Sequence, residues 1–172
     1  MKKKYIKDYV PKEDGSYEYR GVFFVYSKSE KEQKTSGRVQ IFYGIFTLLV
    51  LFLVLCFPAV GTRTLYVVLP LEIMMICFVS YVMGSVELVK THGKMERRVY
   101  DKAWEGPMQT ITISMILEFF SILGQLVGVL AAKRAVMWDW IMEVILLLHL
   151  IATIPVWNRQ RREIKMVKEG RE

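Results

Sequence analysis

Cysteine and histidine are scarce, with two of each in 172 residues. Cys56 and Cys77 both fall inside apolar runs, one near the end of its run and the other near the middle of the next. That placement makes a disulfide between them geometrically unfavourable and leaves them as small packing residues. No CxxC pair occurs and no Cys/His set has metal-ligand spacing, so neither a zinc site nor any other metal or cofactor is expected. His92 stands beside Gly93 and reads as a surface histidine. Also absent are HExxH, GxSxG, a paired-acid signature and a phosphate-cradling glycine loop, so the chain is expected not to be an enzyme.

Charge is missing over long stretches. Four apolar runs, 39–60, 65–89, 108–131 and 135–157, make up about half of the chain. Each reaches the ~20 residues that a ~30 Å hydrocarbon core demands of a helix rising 1.5 Å per residue. A soluble core helix rarely stays apolar on all sides for so long. The fold class expected is an all-α membrane protein, a bundle of four transmembrane helices. The 38 largely polar residues ahead of the first run exclude a cleavable signal peptide at this N-terminus.

The net charge of +7 is distributed by topology. Lys and Arg number ten in 1–38, one in 61–64, five in 90–107, two at 133–134 and six after Trp157. The positive-inside rule then puts both termini and the central loop in the cytoplasm of a multi-pass cell-membrane protein with two short outer turns. Basic flanks attract anionic lipid head groups at about 1 kcal/mol per residue, so the charge needs no nucleic-acid partner.

Three parts are expected: a cytoplasmic aromatic and basic segment over 1–38, the membrane domain over 39–157, and a basic tail over 158–172. Within the first, Tyr5 to Val10 and Tyr17 to Tyr26 are strand-like on either side of a Pro11-Lys12-Glu13-Asp14-Gly15-Ser16 turn. They predict a β-hairpin with arms of roughly ten residues. Ser27 to Gly37 reads as a linker or as an exposed beginning of the first helix. Over 41–60 the first run carries only Gly44 and Thr47 as interruptions before Pro58, which marks it as the best candidate for the most lipid-exposed helix. Thr62 or Thr64 can cap the second helix. Glu87 reads as a surface carboxylate beside Lys90, and 90–107 as a solvated helical extension with i, i+4 charge pairs.

The third run is the distinctive one. Glu118 lies eleven residues past Pro107, roughly 16 Å into the membrane. Ser114, Glu118, Ser121, Gln125 and Gly128 align in one stripe at helical spacing. Glu72 and Glu143 sit at similar depths, roughly 10 and 12 Å below the outer ends of their helices. His149 points about 120° away from Glu143. Ionisable groups at bilayer depth cost several kcal/mol and face a bundle interior or a wet cavity, so Glu72, Glu118, Gln125, Glu143 and His149 form the candidate polar site. Gly124 and Gly128 make a GxxxG contact, and Ser80 and Gly84 a small-residue face, both suited to helix packing together with Ser114 and Ser121.

Two functions fit. The favoured one is a non-enzymatic accessory or scaffold subunit associating through the polar stripe of the third span, as an oligomer or with a larger membrane protein. The alternative is a proton- or cation-coupled transporter or channel in which Glu72 and Glu143 form an outer mouth, Glu118 a central site and His149 a relay.

Overall fold

The computed structural model describes residues 8–27, 29–91, 93–132, 136–165 and 167–170. Four of its helices are long and apolar enough to cross a membrane. Helix α1 (Glu30–Cys56) leads through a 3-10 turn (Gly61–Arg63) to α2 (Leu65–Lys90). A four-residue helix α3 (Arg97–Tyr100) runs on through a π-turn (Asp101–Glu105) into α4 (Gly106–Ala132), and α5 (Met137–Ile164) follows. Packing goes round a ring: α1 on α2, α2 on α4, α4 on α5, and α5 back on α1. Helices α2 and α5 are therefore diagonal partners.

The buried residues show why the ring closes. On α2 they are Val67, Leu71, Met74, Phe78, Tyr81, Ser85 and Leu88, spaced alternately by four and three. On α5 they include Asp139, Met142, Leu146, His149, Thr153, Gln160 and Glu163, which keep the same rhythm. A repeat averaging 3.5 keeps one seam facing its neighbours, as in left-handed bundles. The outward faces carry large apolar side chains such as Phe42, Leu49, Ile76, Phe120, Leu130 and Leu148.

Helix α1 departs from the sequence expectation at both levels. It begins at Glu30 rather than Val39, because Ser29 caps it: the Ser29 hydroxyl accepts from Glu32 N at 3.3 Å and Glu32 Oε2 accepts from Ser29 N at 3.2 Å. Nor is it the most exposed helix, since 33% of its apolar window is buried against 28% for α2 and α5. Its seam of Gln33, Ser36, Gln40, Tyr43 and Thr47 is polar yet faces inward. Gly37 and Gly44 let α2 approach: a Cβ at Gly37 would meet Val89 at 2.6 Å, and one at Gly44 would meet Val82 at 2.6 Å. Thr64 is the N-cap residue of α2, but neither its hydroxyl nor that of Thr62 caps the helix. Their hydroxyls donate back to carbonyls of the turn, Thr62 to Phe57 and Ala59 at 2.8 Å and Thr64 to Gly61 at 2.9 Å.

Outside the bundle, β1 (Tyr9–Pro11) and β2 (Tyr17–Tyr19) form a short antiparallel hairpin with Val10 opposite Glu18. Its turn uses Gly15 at φ +78° and an Asp14 carboxylate that accepts from Ser16 N at 2.9 Å. The long second arm expected from Tyr17 to Tyr26 is broken after Tyr19. Strand β3 (Phe23–Tyr26) leaves the hairpin and becomes the centre of a second sheet, between β4 (Met95–Glu96) and β5 (Val167–Gly170). All of these strands, the π-turn and the tips of α1 and α5 gather at one end of the bundle, called here the sheet end. Beneath the sheet lies a small core of Tyr26, Leu88, Met95, Ala103 and Trp104.

Candidate functional site

Helices α4 and α5 bring Glu118 and His149 together. Glu118 Oε1 lies 2.7 Å from His149 Nδ1, with the two side chains 1% and 3% exposed. The other ring nitrogen, Nε2, is 3.0 Å from the Thr47 hydroxyl of α1. The imidazole also lies nearly parallel to the Tyr43 ring, with centroids 6.2 Å apart. The Tyr43 hydroxyl meets Thr153 Oγ1 at 2.6 Å, and Thr153 Oγ1 donates to the His149 carbonyl at 2.8 Å. A glutamate and a histidine from different helices are thus joined by two hydroxyl residues of a third helix and of α5.

Thr47 can donate to Nε2 or accept from it, so it serves either tautomer of the ring and the doubly protonated form. Sequence spacing located Glu118 and His149 separately. That they form a pair depends on the way α5 docks beside α4.

The rest of the α4 stripe also turns inward. Ser114, Ser121 and Gln125 are all at most 1% exposed. Gln125 Nε2 donates to Asp139 Oδ1 at 3.2 Å, and the same carboxylate accepts from Val60 N at 2.6 Å and Val136 N at 2.8 Å. Asp139 therefore ties the 3-10 turn, α4 and the start of α5 together. The Ser121 hydroxyl donates to its own helix at Leu117 O, 3.0 Å away. Gly124 and Gly128 pack within the chain, against Tyr66 and Val67 and against Tyr66 and Val60.

The remaining candidates separate. Glu143 is buried on α5, and its Oε2 has no protein partner. Glu72 is exposed on the outward face of α2, the diagonal helix, so these two carboxyls share no mouth. Ser80 is exposed on that same flank, whereas Gly84 is buried where α2 meets the π-turn and Pro107. Glu87 pairs with Lys102 at 2.9 Å rather than with Lys90, because the π-turn brings Lys102 across. His92 and the 133–135 turn lie outside the described residues.

A second polar cluster at the sheet end was not foreseen from the sequence. Ser36 donates to Glu163, which also pairs with Arg159 Nε at 3.0 Å. Gln40 Nε2 donates to Ser36 Oγ at 3.4 Å, and Ser85 Oγ donates to Gln40 Oε1 at 3.2 Å. Its signal lay in 30–40, where Gln33, Ser36 and Gln40 repeat at intervals of three and four; their polarity concealed a buried seam. Among the described residues no group of three or more His, Cys, Asp or Glu could hold a metal ion.

No family model, curated protein or solved structure matches the chain. Function must be read from the geometry.

Proposed function

We propose that the protein is a non-enzymatic accessory subunit of the cell membrane that joins a larger membrane protein through the outward flank of α2 around Glu72. The observation that carries this reading is the position of Glu72: exposed, with no hydrogen bond or ion pair among the described residues, seven residues and so roughly 10 Å from the start of its helix. A carboxyl facing hydrocarbon costs several kcal/mol, a cost that a partner helix bearing a cation or a hydrogen-bond donor at that depth removes. The stripe of α4 does not offer such a surface, since its side chains are consumed inside the chain. Ile76 and Ser80, one and two turns further along the same flank, extend the contact.

In this reading both termini and the sheet face the cytoplasm, where the excess of basic residues lies, and the flanks hold anionic lipid head groups. The non-enzymatic character rests on the lack of any catalytic motif in the sequence.

Affinity purification in mild detergent tests the proposal. The chain should carry a membrane-protein partner that Glu72→Leu releases and Glu72→Gln largely keeps. A photo-crosslinking residue at Ile76 should capture that partner. If the crosslinker reaches only lipid, and Glu72→Leu leaves the co-purifying proteins unchanged, the reading fails.

A further inference from the structure

The interior of the bundle is divided. On the side of the Glu118–His149 pair toward the short turns lies an apolar layer of Leu51, Val54, Leu71, Met74, Met142 and Leu146, each fully buried, beyond which Gln125 Oε1 and Glu143 Oε2 are buried without a protein partner. Ser121, the nearest hydroxyl on that side, is already bonded to its own backbone. Toward the sheet end the core is polar. Ser114 Oγ and Tyr81 Oη are buried there without a protein partner, close in level to the Tyr43–Thr153 bond. Further along, Gln160 is 2% exposed with neither amide atom partnered. It lines a cavity of about 10 Å³ beside Ser36, Gln40, Arg159 and Glu163. That is room for about one water. Buried polar atoms rarely go unpaired, and four such atoms on three residues at this end mark a wettable track.

We infer that Glu118 and His149 form a proton-binding site loaded from the sheet end alone. One hydrogen lies between Oε1 and Nδ1, and a second lies between Nε2 and Thr47. With the carboxylate accepting from a neutral imidazole, the pair carries one negative charge in a buried site. One proton taken from water brings it to neutrality, as carboxylate with doubly protonated imidazole or as carboxylic acid with neutral imidazole. Thr47 reverses its bond to match.

The titratable groups facing the pair are Tyr43 from α1 and Tyr81 from α2. On α5, Glu143 lies six residues toward the short turns, with Leu146 between, and Glu163 lies at the sheet end. No charged side chain of α1 or α2 faces the pair among the described residues. The proton therefore arrives past Glu163, Gln160 and the Tyr43–Thr153 hydroxyls, and the apolar layer closes the other side. This site is independent of the Glu72 flank.

Infrared difference spectra of the full chain in lipid nanodiscs, titrated between about pH 4 and about pH 10, test the site. A carboxyl band should titrate, vanish in Glu118→Gln and be displaced in His149→Gln. Should Glu118→Gln fail to assemble, Glu118→Asp keeps an acid and should displace the same band. In sealed vesicles with one orientation, checked by protease access to the C-terminal tail, a pH step on the terminal face should evoke the signal at once. A step on the opposite face should evoke it only as the lumen equilibrates. Gln160→Leu should slow the response without removing the band. A band that survives Glu118→Gln or is unmoved by Glu118→Asp, no titrating band at all, or an equally prompt response from the short-turn face overturns the inference.

Discussion

Asp139 shows how much a single side chain carries in this protein. Its two oxygens accept from Val60 N, Val136 N and Gln125 Nε2, so it satisfies donors from the 3-10 turn, the start of α5 and the middle of α4. Asp139→Ala leaves all three unpaired in a buried place and should lower stability by about 2 to 3 kcal/mol, read as a fall in the thermal midpoint in detergent. Asp139→Asn keeps acceptors and should lose less. Gly61 is the complementary case. Any Cβ there would collide with Gln125 Oε1, so Gly61→Ala should displace that amide and destabilise in the same assay by about 1 to 3 kcal/mol. Of these residues the sequence revealed Gln125 as polar at depth, but not its partner. Of the three donors of Asp139 only Val136 is local; Gln125 and Val60 lie 14 and 79 residues away, so the cluster had no local signal.

At the scale of elements, the sheet end is assembled from pieces too short to stand alone. Strand β3 joins β4 and β5, which lie about seventy and one hundred and forty residues away, and no local pattern announces such pairings. The hairpin is fastened by Tyr9, whose hydroxyl bonds to Glu96 and whose pKa is pushed up to about 12, first by that bond and then by burial. Because the folded value lies above the ordinary value of 10.0, the contribution is present below about pH 10 and lost as pH rises through about 12. Near-ultraviolet spectra or exchange of the hairpin amides should show it loosening in that window, earlier in Glu96→Gln. The π-turn is held in the same way by close approach. Gly84 faces the Lys102 carbonyl and lies 3.0 Å, from a hypothetical Cβ, to Pro107 Cγ. Gly84→Leu should therefore push α2 from α4, break the Lys102–Glu87 pair and lower the thermal midpoint. The extension of α1 over 30–38 follows from the capping box at Ser29, where composition had left open a linker or an exposed beginning of the helix.

Over the whole molecule, the four long apolar helices end within two residues of the apolar runs at five of eight ends, while α1 starts nine residues earlier and ends four earlier, and α5 ends seven later. Cys56 is exposed at the end of α1 beside the short turns, and Cys77 is half-buried midway along α2. A membrane-impermeant maleimide should therefore react with Cys56 before Cys77, and from the face opposite the termini, a pattern that mass spectrometry of vesicles of known orientation will show.

What the amino-acid sequence determined by itself is what depends on composition over a helix length: four long apolar runs, the position of each carboxyl along its helix, the loops in which basic residues collect, and the stripe on α4. Only the tertiary structure decided which polar residues meet. A side chain's depth follows from counting along its own helix, but its direction follows from which helices are neighbours. The ring order of α1, α2, α4 and α5 turned Glu118 toward His149 and left Glu72 facing outward, although both are glutamates within apolar runs.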